Sequence, residues 1–224
     1  MVDFLGRAEG LTRRGQRLLL AGQPLAREFQ AKDISPVFKA NGSTHPGGPE
    51  YAAMLENGFA DWRLKVYGLV QRPLSLSIAQ LRALRARTQI TRHDCVEGWS
   101  AIGQWTGVPL GAVLHAAGLA PDARYIVFRC ADRLAAGSRG TGLYYESIDL
   151  FDAFHPQTIL AYAMGGQPLD VAHGAPLRLR VERQLGYKQA KYVMGVEAVE
   201  RLDGIEGGKG GFWEDRGYEW YAGI

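Results

Sequence analysis

The apolar residues of this 224-residue chain come in short runs, and most of those runs alternate with polar residues. The unbroken ones, such as residues 18–21, fall far short of the ~20 apolar residues that carry a helix across a bilayer. Period-two alternation places successive side chains on opposite faces of an extended backbone, so it marks half-buried strands. Residues 62–67 show it, with Trp62, Leu64 and Val66 on one face. Residues 123–130, 144–148, 158–164, 177–181 and 192–199 read as further strands, and 88–91 is strand-like. Gly165-Gly166 makes a hairpin turn into residues 167–169. Helical spacing is confined to 77–87, capped by Ser77, to 110–117, ending at Gly118, and to a short turn opened by Ser147 or Asp149. The pattern predicts an α+β chain, β-rich and mixed, in a single domain over residues 29–224. Residues 1–28 read as an amphipathic arm; Gln16 and Arg17 interrupt what would otherwise resemble an export signal. The glycine- and aromatic-rich tail, 207–224, is expected to pack across the surface.

Charge is nearly balanced, 26 basic against 23 acidic side chains, which argues against a nucleic-acid partner and leaves room for a local basic pocket. The two cysteines make no disulfide framework. Cys130 lies in an apolar strand and reads as core. Cys95 lies in Thr91-Arg92-His93-Asp94-Cys95-Val96-Glu97-Gly98-Trp99-Ser100, where Arg92 and His93 are expected to lower its pKa and hold a thiolate. A thiolate serves as a nucleophile or as a soft ligand for a transition metal. The histidines lack zinc-ligand spacing, and a cysteine hydrolase using His155 or His173 has no supporting local motif. A second cluster, His173 to Arg178 followed by Gly186-Tyr187-Lys188-Gln189-Ala190-Lys191, gathers Arg178, Lys188 and Lys191 into a basic pocket suited to a phosphate. The bland alternative for the two lysines is a solvated face. Residues 35–50, with three prolines and three glycines, form a loop long enough to be functional. No haem-attachment or dinucleotide motif is present, so any further electron-transfer centre belongs on a partner.

Taken in order, His93-Asp94-Cys95-Val96-Glu97-Gly98-Trp99-Ser100, Trp105-Thr106-Gly107-Val108-Pro109-Leu110, Tyr144-Tyr145-Glu146-Ser147-Ile148, His155-Pro156-Gln157-Thr158 and Gly174-Ala175-Pro176-Leu177-Arg178 resemble the molybdopterin-dependent oxidoreductase family of the sulfite oxidase fold. The likeness covers roughly residues 30–224 and is nearer the bacterial methionine-sulfoxide-reductase catalytic subunits than sulfite oxidase itself. It implies molybdenum and molybdopterin as cofactor, with Cys95 as the protein's thiolate ligand to the metal. It implies cofactor contacts from Asn41, Thr44, His45, His93, Cys130, His173 and Arg178, and a phosphate site from Gln189, Ala190 and Lys191, with Lys188 adding charge. Tyr144 falls where a phenol stands beside the metal. Glu97 and Trp99 replace a basic stretch that sulfite oxidases carry, which disfavours sulfite and favours a neutral or bulkier small-molecule substrate. The implied activity is oxygen-atom transfer, S-oxide or N-oxide reduction ahead of sulfite oxidation. A non-catalytic cofactor-binding subunit and a cysteine-nucleophile hydrolase are the other readings. The resemblance also implies a monomer, a membrane or soluble cytochrome as electron partner, and the periplasm, with the cytoplasm as the alternative because the chain displays no clear signal.

Overall fold

The computed structural model describes residues 25–134 and 142–224. Most of the expected arm, and nearly all of the glycine loop at 137–142, lie outside the described residues. Among the described residues, strands and short helices alternate in a β-rich domain. Helix α1 (Pro49–Glu56) precedes the strands, and helices α2 (Ile78–Ala83), α3 (Leu110–Ala117) and α4 (Leu150–Ala153) lie between strands β1 (Leu64–Gly68), β2 (Leu74–Leu76), β3 (Arg87–Cys95), β4 (Trp99–Pro109), β5 (Tyr125–Arg133), β6 (Leu143–Asp149), β7 (Ile159–Met164), β8 (Gln167–Pro168), β9 (Arg178–Arg180) and β10 (Val193–Val199). One five-stranded sheet runs β2-β1-β10-β5-β6. The other runs β3-β4-β7-β8, with β9 also paired to β7. Among the described residues only β1 and β10 pair in parallel; the other ladders named are antiparallel.

Local chemistry explains the element ends. Ser77 caps α2 through a reciprocal box, its Oγ accepting from Gln80 N (3.2 Å) while Gln80 Oε1 accepts from Ser77 N (2.9 Å). Asp149, not Ser147, opens α4, its carboxylate accepting from Asp152 N. Gly165 and Gly166 both sit at positive φ, as the tight β7–β8 turn requires. Helix α3 buries Leu110, Val113, Leu114 and Ala117, the i, i+3, i+4, i+7 stripe of an amphipathic helix. That stripe joins Leu64, Val66, Ile126, Phe128, Leu160, Leu179 and Val196 in one core between the sheets.

Strand β4 was not expected over its eleven residues. Its buried positions are Ala101, Gly103, Trp105, Gly107 and Val108, so two of five carry no side chain and the alternating apolar signal is lost. Gly107 is needed for close approach: a Cβ there would lie 2.2 Å from Leu160 O on β7. The tail packs across the surface as anticipated. Phe212 N donates to Tyr145 O (3.0 Å), and Leu185 N donates to Ala222 O (2.9 Å). No described helix is long and apolar enough to cross a membrane.

Candidate active site

Cys95 is the last residue of β3, and Gly98, at positive φ, turns the chain into β4. Alternation along β3 points Gln89, Thr91, His93 and Cys95 inward and Arg92 outward. Cys95, 8% exposed, lines a cavity of about 180 Å³. The opposite sheet contributes Asp132 and Tyr144, adjacent on β5 and β6. The 35–50 loop contributes Asn41 and Ser43, and the segment after β9 contributes Tyr187, Gln189 and Lys191. Trp213 and Tyr218 from the tail complete the mouth.

The polar groups around the cavity are cross-tied. Ser43 Oγ donates to Asp132 (2.7 Å), and Ser43 O accepts from the Lys191 ammonium and from the Tyr192 hydroxyl (3.1 Å). Lys191 also donates to Ala172 O (2.8 Å). Tyr144 donates its hydroxyl to Tyr187 O. Burial pushes Asp132 up to about 6, with the Ser43 hydrogen bond and Lys191 opposing the shift. Its second oxygen, Oδ1, has no partner.

Behind the cavity lies a buried basic group. Arg178, fully buried, donates to the carbonyls of His173 (3.0 Å) and Gln189 (3.4 Å), and its Nε is unpartnered. Gly174, at positive φ, lets Lys191 and Arg178 converge: a Cβ there would meet Lys191 at 3.0 Å and Arg178 at 3.3 Å. Burial, reinforced by Arg180, lowers Arg178 to about 9. Burial, reinforced by Arg178, lowers Lys191 to about 7. Both guanidinium groups stack on Trp105, at 4.8 Å for Arg178 and 4.4 Å for Arg180. Arg180 is neutralised by Glu182 (2.6 Å). Arg178 has no carboxylate partner among the described residues. Buried cations without their own anions are costly, and a bound phosphate would relieve both.

His93 belongs to this layer. Arg180 Nη1 lies 3.1 Å from its Nδ1. A guanidinium only donates, so Nδ1 accepts and the ring proton sits on Nε2. That buried N–H meets no acceptor in hydrogen-bonding geometry, and neither does the amide oxygen of Gln189 meet a donor. Burial, then the Arg180 and Arg178 charges, push His93 down to about 2, so the ring is neutral.

Two expectations are corrected here. Arg92 and His93 do not stabilise a thiolate. His93 carries no charge, Arg92 points to the other face and pairs with Asp94 (2.9 Å), and burial pushes the Cys95 thiol up. Lys188 is not free to neutralise a bound anion. It is fully buried between Glu146 and Glu214, the latter at 2.6 Å. Of the other expected residues, the cavity gathers Cys95, Tyr144, Asn41, Gln189 and Lys191, while Arg178, His93 and Ala190 are buried. Thr44 and His45 are exposed and stand off it. His173 bridges Asp170 (2.8 Å) and Phe38 O (3.0 Å), and Cys130 packs in the core. Ser43, Asp132, Arg180, Trp213 and Tyr218 were not anticipated. Asp132 alone left a trace, two residues beyond Cys130 on the same face of a strand.

An unpaired cationic layer under a cavity edged by a thiol suits an anionic, metal-bearing cofactor. The chain belongs to the oxidoreductase molybdopterin binding domain family, whose family model matches residues 52–203. It is 38% identical over 202 residues to a chain of Azospira oryzae named as a protein-methionine-sulfoxide reductase subunit, YedZ1, covering 87% of this chain and 70% of that one. It is 38% identical over 150 residues to the protein-methionine-sulfoxide reductase catalytic subunit MsrP of Xanthomonas campestris pv. campestris, covering 63% of this chain and 46% of that relative. The chain thus spans about half the length of that catalytic subunit. The sulfane dehydrogenase SoxCD of Paracoccus pantotrophus shares the fold, with a TM-score of 0.56 at 23% identity over 63% of this chain and 39% of that one. The protein is a molybdopterin-dependent oxidoreductase with a molybdenum–molybdopterin cofactor. The residues fit that group, because the buried Arg178 Nε, unpartnered among the described residues, and the buried Lys191 ammonium offer the polar partners an anionic cofactor needs.

Proposed function

We propose that the protein reduces S-oxides, methionine sulfoxide foremost, and that Cys95 is the metal ligand. The observation that carries the reading is the juxtaposition of Cys95 with a buried cationic pair, Arg178 and Lys191, that has no adequate anion of its own. The reaction is sulfoxide plus two electrons and two protons to thioether plus water. When bound, the molybdenum–pterin cofactor supplies the two-electron change and the acceptor for the oxygen atom. Cys95 supplies a soft sulfur, which a metal deprotonates outright despite the burial that raises its pKa. Lys191, Arg178 and the backbone amide of Ala190 would hold the phosphate; the Gln189 N–H is already given to Gly186 O (3.1 Å). His93 Nε2–H is a fixed donor to the cofactor, its tautomer set by Arg180. Tyr144, whose burial holds its hydroxyl protonated, orients polar groups without giving up its proton.

A separate subunit delivers the electrons. This chain carries two cysteines and no haem-attachment motif, and its relatives are named as subunits. We place the work in the periplasm, as the family resemblance implies, and cell fractionation tests it. Protein purified from molybdenum-replete cells should contain molybdenum and pterin. Cys95→Ser should abolish reduction of methionine sulfoxide while retaining most of the pterin, because the phosphate layer is separate. Unchanged activity in that variant removes Cys95 as the ligand.

A further inference from the structure

The family model ends at residue 203, yet two aromatic rings that line the cavity beside Cys95 come from the tail beyond it. Trp213 and Tyr218 pack together at 5.4 Å with planes 30° apart. Tyr218 also meets Tyr187 edge-on, at 5.2 Å and 88°. The rings are held from behind. The Tyr145 hydroxyl donates to Asp215 (2.6 Å), and the Tyr187 hydroxyl donates to Glu219 O (2.7 Å). The turn Glu214–Arg216 between the two rings is fixed at Glu214 by the Lys188 ion pair. Tyr218 nevertheless stays 40% exposed, so it faces the entrance rather than the core.

The charges at the entrance are paired and offer an oxyanion no free cation among the described residues. Glu97 stands at the mouth, its carboxylate accepting from Trp99 Nε1 (3.0 Å) and pairing with Lys39 (3.9 Å). Among the described lining residues Lys191 is the one cation, and it already serves the carbonyls of Ser43 and Ala172. What the mouth offers instead is aromatic surface, which attracts soft, polarisable sulfur at about 5 Å from a ring.

We propose that Trp213 and Tyr218 form a tail-borne aromatic lip that selects uncharged methylsulfinyl side chains for the site at Cys95. The inference rests on the S-oxide reading above and names the feature that sets its substrate class. The lip takes no part in the chemistry; it holds the sulfur while the oxygen atom departs.

The test uses the holoenzyme and three variants, Trp213→Ala, Tyr218→Ala and Trp213→Phe. The substrate is N-acetylmethionine sulfoxide N-methylamide, with a reduced dye as electron donor. Binding of the thioether product, N-acetylmethionine N-methylamide, is read separately by isothermal calorimetry. Each sulfur–ring contact converts to a change of about two- to tenfold. Each alanine variant should therefore raise KM and weaken thioether binding by that factor, with kcat and molybdenum and pterin content unchanged, and Trp213→Phe should restore most of the affinity. Unmoved KM and binding in both alanine variants would overturn the lip, as would a loss of affinity matched by a loss of cofactor. If the wild-type holoenzyme reduces no sulfoxide, the S-oxide reading fails by itself. The thioether titration then decides the lip alone: ring-dependent binding supports it, and ring-independent or absent binding overturns it.

Discussion

Replacing Lys188 separates structure from cofactor binding. Its ammonium lies between Glu146 and Glu214, and all three side chains are at most 1% exposed. Lys188→Met removes the cation and leaves two carboxylates facing each other out of water. Removing one partner from a buried ion pair costs about 3–5 kcal/mol. For a domain of this size each kcal/mol moves Tm by roughly 2–4 °C, so the variant should melt roughly 6–20 °C below wild type. The loss should depend on pH with a fixed sign. Burial and Glu214 already hold Glu146 well above the usual carboxylate range. Without Lys188 the Glu146 carboxyl loses the cation that opposes this shift and stays protonated in the folded state. Its contribution is then intact below the unfolded carboxylate pKa, near 4.3, and drains away as pH rises toward the folded value. Calorimetry of the cofactor-free variant should thus show a gap from wild type that widens between pH 5 and pH 8. Glu146→Gln combined with Glu214→Gln in the Lys188→Met background should close much of it. Pterin content of protein folded in the cold should be unchanged. A melting temperature within 2 °C of wild type at about pH 8, accompanied by loss of pterin, would refute the argument and return Lys188 to the phosphate site.

Three further substitutions test other parts of the structure. Gly107→Ala places a methyl 2.2 Å from Leu160 O and should cost about 3 kcal/mol or more, read as a fall in Tm, because only backbone movement between β4 and β7 relieves it. Asp132→Asn should stabilise the cofactor-free protein on the order of 2–3 kcal/mol at pH 8 and hardly at pH 4. The folded Asp132 sits at about 6 against an ordinary 3.8, so stability is lost across that window as the carboxyl ionises. Lys191→Met should release the pterin. In cofactor-free protein it should stabilise more at pH 6 than at pH 10, since Lys191 is lowered from 10.5 to about 7 and its burial is costly only while it is charged.

Much of the scaffold is legible in the sequence because it obeys simple periods. β1, β5, β6, β7 and β10 alternate or run apolar, and Ser77 and Asp149 cap where short polar side chains cap. The failures have a common cause: a side chain whose surroundings are set by distant parts of the chain. β4 is invisible because Gly103 makes room for Phe38, and Gly107 for β7. Arg178 and Arg180 alternate with apolar residues and so look half-solvated, yet both are fully buried on Trp105. Lys188 and Lys191 look like neighbours on one helical face. The turn Gly186–Lys188 ends before a second turn can form, and Gln189 at ψ 72° redirects the chain. One lysine therefore enters a carboxylate pair and the other the cationic layer.

The same logic explains why the environment of Cys95 differs from the one its sequence neighbours suggest. Proximity in sequence placed Arg92, His93 and Asp94 around one thiol. A strand separates odd from even positions, and His93 and Cys95 share a face that Arg92 and Asp94 do not. Burial keeps the His93 ring neutral, and the charges of Arg180 and Arg178 on β9, more than eighty residues later, reinforce it by repulsion. A neutral ring with Nδ1 occupied by Arg180 is a donor in one direction only. The cationic layer thus acts twice, drawing an anion by its charge and fixing by exclusion the tautomer of the histidine beside the thiol. Neither effect can be read within the segment 91–100, because both come from residues that only the pairing of β7 with β9 brings there.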